Sequence, residues 1–306
     1  MAVDVGGTTI KGGLVGRDGT LLYVERRATP RAEGPERVIA AISAFVTDLS
    51  RARSSGGGVL EPVAVGLAVP GLVTATHAVF SAALGWRDVP VEAFTQVDLP
   101  VALGHDVRSA GEAELAYGSG TGTGSDTRAG LGSGAGDVLY LPIGTGIAGA
   151  VILSGRLYSG AAGWAGQIGH IPVRPDGVVC ACGQRGCLTA YASASAIAAR
   201  CGEDSAADVV TRVTAGDAQA VAVWNEAVQA LALALTTYTL LLDPALVVIG
   251  GGLSLAGDTL IAPLRTRLSA LLAFRHPPAL RVSALGVHAG LMGAGLLGRR
   301  ALEDHA

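Results

Sequence analysis

One cysteine-rich segment has the residue types and the spacing of a metal site. Cys180, Cys182 and Cys187 fall within eight residues, and His170 lies ten residues before the first of them. Three thiolates and one imidazole are ligands with which zinc completes a closed tetrahedral site. A disulfide is disfavoured in a reducing compartment, and free thiols leave such close spacing unexplained. The pattern therefore predicts one structural zinc ion, whereas Cys201 is predicted to be a small buried side chain.

Two glycine turns have the composition of phosphate-binding loops. The first is Gly6-Gly7-Thr8-Thr9 and the second is Gly144-Thr145-Gly146. Glycine lets the backbone approach a polyphosphate closely, so that backbone N–H groups and threonine hydroxyls can point at the anionic oxygens. Each turn alone is as consistent with an ordinary hairpin, but the matched pair indicates a nucleotide site. Asp4, just before the first turn, is suited to a hydrated magnesium ion; the alternative is a solvated edge charge.

The second turn also fits a dinucleotide-binding fingerprint. Gly144 to Gly149 match G-x-G-x-x-G, which in that class of protein opens a helix. Here the chain continues as a strand-like stretch, Ala150 to Leu153, and no acidic residue lies at the ribose-binding distance. The sequence contains no Walker-type G-x-x-x-x-G-K-[ST] either. Phosphate binding is therefore assigned to the paired turns.

The composition is typical of a well-buried α/β enzyme. Hydrophobic residues make up 50% of the 306, charged residues 15%, and 45 residues are glycine. A formal net charge of −3 offers no positive field to nucleic acid or to an anionic membrane, so we expect small-molecule partners. A strand pattern begins almost at Met1 in place of a signal peptide, which predicts a cytoplasmic location. The most apolar stretch, Ala227 to Leu242, contains polar residues and stops at Asp243-Pro244, which predicts a buried helix.

Two pairs of segments look like copies of each other. Residues 2–21 and 138–157 both have the pattern strand, glycine turn, strand and hairpin. Residues 62–66 and 244–252 both contain a β-branched stretch that follows a long helical pattern and ends in glycine. The chain is also long enough for two cores. The sequence therefore predicts two related lobes.

The predicted boundary between the lobes lies near residues 107–110. The N-terminal α/β lobe is expected to be 1–107, joined by a C-terminal helix at 290–306, and the larger lobe with the zinc loop is expected to be 108–289. Residues 118–136 are nearly all Gly, Ser, Thr and Ala. Such a segment has too few apolar groups to offset its ordering entropy, so we expect a mobile surface loop there.

As a set, these motifs resemble those of the ROK family of bacterial sugar kinases and sugar-responsive repressors. The matching segments are Asp4–Lys11 (DVGGTTIK), Gly66–Gly71 (GLAVPG), His105-Asp106, Gly144–Gly146, Ala165–His170 (AGQIGH), Cys180–Leu188 (CACGQRGCL) and Asp243–Gly252 (DPALVVIGGG). They run nearly end to end and are highly specific together. The resemblance implies a two-lobed, actin-like ATPase fold, which is a duplicated ribonuclease H-like α/β fold with an interdomain cleft for sugar and ATP.

The resemblance also implies roles for individual residues. Asp106 is the expected general base; the alternative role is N-capping of the helix that follows, and the two roles are possible at once. His170 is expected to ligate zinc through one ring nitrogen and to donate to a sugar hydroxyl through the other. The expected nucleotide contacts are Asp4, Gly6, Gly7, Thr8, Thr9, Lys11, Gly144, Thr145, Gly146, Gly250, Gly251 and Gly252, and the expected sugar contacts are Gly71, His105, Asp106, Gln167, His170 and Thr189. The implied cofactors are ATP, Mg²⁺ and structural Zn²⁺, and the implied assembly is a homodimer or a higher homo-oligomer.

Three positions depart from the family pattern. His105 stands where kinases of the family usually carry Asn, and Gln167 and Thr189 stand where they usually carry Glu. Replacing a carboxylate by an amide or a hydroxyl weakens its hydrogen bonds to a sugar, by about 1–3 kcal/mol per contact. We therefore expect poor use of glucose and better use of another neutral hexose or an N-acetylhexosamine.

The same resemblance raises two alternative functions. A repressor of this family has an N-terminal helix-turn-helix domain, for which a chain whose first strand starts at Ala2 leaves no room, so we do not expect a DNA-binding regulator. The second alternative is a sugar-binding protein with weakened or lost catalysis, motivated by the three departures. The presence of Asp106, Lys11 and both phosphate turns favours an active kinase.

Overall fold

The computed structural model describes residues 1–52, 60–118 and 136–304. The strands, in chain order, are β1 (Ala2–Val5), β2 (Thr9–Val15), β3 (Leu21–Ala28), β4 (Val65–Val69), β5 (Leu72–Val73), β6 (His77–Phe80), β7 (Arg87–Pro90), β8 (Val101–His105), β9 (Val138–Pro142), β10 (Ala150–Leu153), β11 (Arg156–Tyr158), β12 (Leu246–Gly250) and β13 (Ala279–Val282). The helices are α1 (Pro35–Leu49), α2 (Asp106–Tyr117), α3 (Thr189–Ala192), α4 (Ala194–Cys201), α5 (Ala206–Thr214), α6 (Ala218–Leu242), α7 (Asp258–Leu271) and α8 (Ala289–Asp304).

Tertiary contacts divide the chain into two compact units. The first unit comprises Met1–Tyr117, Gly160–Trp164 and His288–Ala306, and the second comprises Gly118–Ser159 and Ala165–Val287. α2 belongs to the first unit because it packs against α8, whereas the sequence patterns predict a change of lobe near residues 107–110, at the start of α2. The loop predicted at 118–136 falls almost wholly on residues 119–135, outside the described residues.

The first unit is built on a five-stranded sheet in the order β3-β2-β1-β4-β8. β1 pairs antiparallel with β2 and parallel with β4, and β4 pairs parallel with β8. All the residues of β1 and β4 are buried, as expected for parallel strands covered on both faces. A second, small sheet of the same unit has the order β5-β6-β7.

Side chains alternate along the central strands of this sheet and so define its two faces. Val3 and Val5 pack in the same core cluster as Phe45 of α1. Ala2 and Ala68 pack instead with α8. Small residues let α8 lie directly on the strands, because a Cβ at Gly66 of β4 would overlap the backbone of α8. The helix that begins near the predicted position 290 therefore packs on the sheet of the first unit.

The second unit repeats the sheet of the first. Its strand order is β11-β10-β9-β12-β13, with β9 antiparallel to β10 and parallel to β12, and β12 parallel to β13. The segments that look like copies in the sequence are therefore β1–β2 and β9–β10, and also β4 and β12. The prediction of two related α/β units is confirmed in strand order and in strand direction.

α6 is the longest helix of the second unit, and it lies in the core. Asp217 caps its N-terminus by accepting the Ala220 N–H at 2.8 Å, and the helix ends where Asp243 adopts a left-handed conformation before a proline. By length and composition alone it is apolar enough to cross a membrane. Twelve of its residues are buried, however, and it packs against α3, α4, α5 and α7. This packing agrees with the predicted buried helix.

Candidate active site

The first glycine turn of the first unit is closed by hydrogen bonds at its base. Gly6 N–H donates to Thr9 O at 2.9 Å, and the Thr29 hydroxyl donates to Gly6 O at 2.8 Å. A Cβ at Gly6 would lie 2.9 Å from Thr9 O, so only glycine fits at this corner. Open space surrounds Gly7, and Thr8 is exposed. The turn is thus shaped as a phosphate-binding loop would require, with its tip accessible.

Asp4 and Lys11 lie side by side at the base of this turn. They are opposed in the β1–β2 ladder, and Lys11 Nζ lies 3.3 Å from Asp4 Oδ2. Burial raises the pKa of Asp4, Lys11 opposes that shift, and the nearby charge of Asp106 adds to it. The carboxylate packs so tightly on the first turn of α8 that a Cβ at Gly290 would overlap it. Asp4 is therefore an acid held in place inside the fold, not a solvated edge charge.

β8 runs directly into α2 and places His105 and Asp106 at the junction. Asp106 Oδ1 accepts the Val107 N–H at 2.7 Å and lies 3.1 Å from His105 Nδ1. The carboxylate is thereby oriented by its own helix and remains partly exposed, while the His105 ring is almost buried. Asp106 is the first residue of α2, and the bond from the next N–H holds its carboxylate at the start of the helix.

The protonation state of His105 follows from its surroundings. Burial lowers its pKa, and this effect exceeds the opposing attraction of Asp106, so the ring is neutral at pH 7. His105 Nδ1 has two polar neighbours, the Arg108 N–H, which donates to it at 3.4 Å, and Asp106 Oδ1 at 3.1 Å. A neutral imidazole has one N–H donor and one acceptor nitrogen, so His105 can hydrogen-bond a sugar hydroxyl as an asparagine amide does.

In the second unit, the second glycine turn and the glycine run after β12 are joined through one residue. Ile143 N–H donates to Gly250 O at 2.9 Å, and Leu253 N–H donates to Ile143 O at 3.1 Å. Gly251 is in a left-handed conformation, and a Cβ there would lie 2.5 Å from Ile143 O. The structure therefore brings Gly144–Gly146 and Gly250–Gly252, predicted separately as nucleotide contacts, to one end of the same sheet.

A serine that the sequence motifs do not reveal supports the second turn. Ser195, at the start of α4, donates from its hydroxyl to Thr145 O at 2.6 Å, and Ala194 N–H donates to Gly144 O at 2.8 Å. Gly144 and Gly146 have open space where a Cβ would be. The turn is thus fixed from α4 and open on its other side. Its only sequence signal is the helix-capping serine at 193, which is not specific.

The four predicted metal ligands meet in one cluster. Their ligand atoms all lie within 4.8 Å of one another, and none of the cysteines forms a disulfide. Cys180 Sγ lies 3.9 Å from His170 Nδ1, and Cys182 Sγ lies 3.7 Å from Cys187 Sγ. Since Nδ1 faces the thiols, Nε2 is the nitrogen of His170 that is left for another partner. The set of three sulfurs and one nitrogen is suited to a zinc ion, so the residues present fit that metal.

A clamp of four side chains, Tyr191, Arg174, Arg200 and Glu226, holds the loop of this cluster against α6. Val178 N–H donates to the Tyr191 hydroxyl at 3.0 Å, and the Arg174 guanidinium lies 5.2 Å from the centre of the Tyr191 ring. Arg174 Nη1 is also 2.6 Å from Glu226 Oε1, and Arg200 pairs with the other oxygen of Glu226. The sequence gives no signal for this clamp, because its members are far apart in the chain and have no motif.

The remaining predicted sugar contacts have different local surroundings. Gln167 begins the 3-10 turn that ends at His170, whose N–H donates to Gln167 O at 3.0 Å. Thr189 turns its hydroxyl inward toward Gly169, and Oγ1 is buried with no hydrogen-bond partner among the described residues. Gly71 has a left-handed conformation, and a Cβ there would overlap the backbone of Phe80. The local backbone therefore explains why position 71 is glycine, and the contact of Gly71 with sugar stays a prediction.

Comparison with known proteins gives the class to which this site belongs. The model of the ROK family matches residues 1–301. A glucokinase of Halalkalibacterium halodurans is 31% identical over 97% of this chain and 94% of its own length, and an N-acetylmannosamine kinase of Escherichia coli O157:H7 is 31% identical over 97% of both. A ROK family glucokinase from Streptomyces griseus, solved in complex with glucose and AMPPNP, superposes with a TM-score of 0.82 at 28% identity, covering 98% of each chain.

The chain belongs to the ROK family. It has the two-lobed, actin-like ATPase fold of that family's sugar kinases, and it is an enzyme of that class. The predicted fold class and the predicted family are thereby confirmed.

Proposed function

We propose that this protein catalyses the ATP-dependent phosphorylation of a hydroxyl group on a hexose or an N-acetylhexosamine. The observation that carries the proposal is the Asp106 carboxylate, which is partly exposed and is oriented by the Val107 N–H at 2.7 Å. Because that N–H engages Oδ1, the other oxygen, Oδ2, is the one suited to accept a proton from a sugar hydroxyl. ATP and free hexoses meet in the cytoplasm, so this is the compartment that the proposal requires.

In the proposed reaction, Asp106 accepts the proton as the sugar oxygen forms its bond to the terminal phosphorus of ATP. The bond from that phosphorus to ADP breaks in the same process, and ADP leaves. The backbone N–H groups of the two glycine turns are suited to stabilise charge on the phosphate oxygens. Magnesium, when bound, neutralises part of that charge, and Asp4 would hold it through water or directly.

The acceptor is expected to be a neutral sugar. His105 is neutral, because burial lowers its pKa, and so it adds no charge to the pocket. Gln167 can donate as well as accept, and so can meet an acetamido carbonyl that a carboxylate would repel. With no carboxylate at positions 167 and 189, the pocket has less attraction for a protonated amino sugar. These residues support a plain or N-acetylated hexose over free glucosamine.

Zinc is proposed as a structural ion held by His170, Cys180, Cys182 and Cys187. The four ligand atoms lie within 4.8 Å of one another and leave no ligand position for substrate in a tetrahedral site. Binding through Nδ1 would fix the tautomer and the direction of the His170 ring, so that Nε2 carries a proton for a sugar hydroxyl. The ion then supports the sugar contact and takes no part in phosphoryl transfer.

A panel of acceptors tests the proposal. Purified protein with ATP and Mg²⁺ is offered glucose, mannose, glucosamine, N-acetylglucosamine and N-acetylmannosamine, and sugar phosphate and ADP are both measured. We expect equal amounts of ADP and sugar phosphate with at least one neutral hexose or N-acetylhexosamine, and little product from glucosamine. If no acceptor gives sugar phosphate when the protein is saturated with ATP, the proposal is contradicted.

A further inference from the structure

One tryptophan differs from the others in being on the surface. The chain has three tryptophans. Trp86 and Trp224 are 1% and 4% exposed, whereas Trp164 is 57% exposed. A large apolar ring with a polar N–H is a common contact surface for a ligand, because burying it on binding is favourable. Exposure alone does not mark a binding site, since Phe274 is 82% exposed. Whether Trp164 forms part of a binding site therefore depends on which residues hold it in place.

A hydrogen bond from α2 of the same unit holds the residue before Trp164. Arg108, in the first turn of α2, donates from Nη1 to Gly163 O at 2.9 Å. Burial lowers the pKa of the Arg108 guanidinium, so this bond is partly shielded from water. The donor is two residues after Asp106, and the acceptor is the residue before Trp164. The same short helical turn therefore carries the proposed base and the tether of the exposed ring.

The backbone that leads into Trp164 is tightly turned. Gly160 and Gly163 both have left-handed conformations, with φ of 76° and 74°, and Gly163 N–H donates to Gly160 O at 3.4 Å. A turn of this kind presents the next side chain outward in a defined direction. Trp164 is thus a ring held on a short, tied turn and not a side chain of an extended loop.

We propose that Trp164 is a specificity-determining residue that stacks on the apolar face of the acceptor sugar. This inference rests on the proposed function, because it takes the sugar hydroxyl to lie at Asp106. A pyranose ring has C–H groups on its faces and hydroxyls at its edges, so it can place a face on an indole while its edges reach His105 and Asp106. The methyl of an acetamido group offers a further apolar contact. The ligand class is therefore a neutral hexopyranose or its N-acetylated form.

Kinetics and fluorescence of Trp164 variants test the inference. With the best acceptor from the panel, Trp164→Ala should raise the KM for sugar about tenfold and change kcat and the KM for ATP less than about threefold. This pattern indicates that the lost contact binds the ground state and the transition state equally. Trp164→Phe should raise KM less than the alanine variant does, because it keeps an aromatic face. Phe274→Ala is the matched control, an exposed aromatic removed from the second unit, and should leave all three constants unchanged.

Fluorescence supplies a readout without turnover. In the absence of nucleotide, the acceptor sugar should change the tryptophan emission of the wild type, and most of this change should be lost in Trp164→Phe, because the sugar can contact Trp164 directly but not the buried Trp86 and Trp224. An unchanged KM in Trp164→Ala, or an emission change in Trp164→Phe as large as that of the wild type, would overturn the inference while sugar phosphorylation stands. Failure of the proposed function is distinguishable, because the wild type would then form no sugar phosphate.

Discussion

Lys11 Nζ lies 3.3 Å from Asp4 Oδ2, across the ladder in which the two residues are directly opposed. Burial raises the pKa of Asp4, which means that the folded protein disfavours the charged form. A buried charge that lacks full compensation costs stability, and proteins keep such charges where function needs them. The buried Asp4 carboxylate therefore lowers folding stability at the position where it is proposed to hold magnesium beside the phosphates.

Asp4→Asn is expected to stabilise the protein and to impair its function. The pKa of Asp4 is higher in the folded than in the unfolded protein. Its contribution to the free energy of unfolding is therefore most favourable below the pKa of the unfolded state, and it is lost as pH rises through the pKa of the folded state. At pH 7 the variant should therefore have a higher Tm than the wild type, by roughly 2 °C or more, and the difference should shrink in acid. Magnesium-dependent ATP binding should weaken. The exposed Asp98→Asn is the control, and a lower Tm for Asp4→Asn at pH 7 would contradict the argument.

One tightly bound zinc per chain is expected in protein purified without added metal. Burial raises the pKa of the Cys187 thiol to about 12, so in the apo protein it is protonated, and zinc binding must release that proton. Cys182→Ser should lower both the zinc content and the Tm, whereas Cys201→Ala, outside the cluster, should keep the zinc. Elemental analysis decides the matter, and substantially less than one equivalent in the wild type would remove the site.

The clamp on the metal loop should control how firmly the metal is held. Glu226→Gln removes the charge that Arg174 and Arg200 share, and Arg174 also packs on Tyr191. Loss of a charge-assisted contact of this kind should speed zinc transfer to a chelator by about tenfold. Glu203→Gln is the matched control, because it breaks the 2.8 Å pair with Arg212 elsewhere in the same unit. Equal release rates for the two variants would show that the clamp does not support the loop.

The sequence predicts those parts of the molecule that depend on local pattern. Glycine turns, β-branched strands and the Cys₃His spacing are short-range signals, so the duplicated sheets and the metal cluster follow from them. The clamp at Tyr191, the Ser195 support and the Arg108 tether to Gly163 do not, because each joins residues that are distant in the chain. The inward turn of the Thr189 hydroxyl is another result of packing, since the pattern alone predicts only a shorter side chain.

The acceptor preference should depend on positions 167 and 189. The double variant Gln167→Glu, Thr189→Glu should raise kcat/KM for glucose, by about tenfold if each carboxylate restores part of a contact. Gln167→Glu alone tests the more accessible position, because the Thr189 hydroxyl is buried against Gly169. Steady-state kinetics with glucose and an N-acetylhexosamine provide the comparison. A wild-type kcat/KM for glucose of about 10⁵ M⁻¹s⁻¹, an ordinary value for an enzyme, would show that the substitutions are neutral.

The most direct test of the central claim is the rate of phosphoryl transfer in Asp106→Asn with the best acceptor. Asparagine keeps the size of the side chain and an oxygen for the Val107 N–H, but it cannot take the hydroxyl proton. Sugar phosphate formation should fall by roughly 10²-fold or more, while ATP binding measured by calorimetry stays close to wild type. Activity within about tenfold of the wild type would contradict Asp106 as the general base.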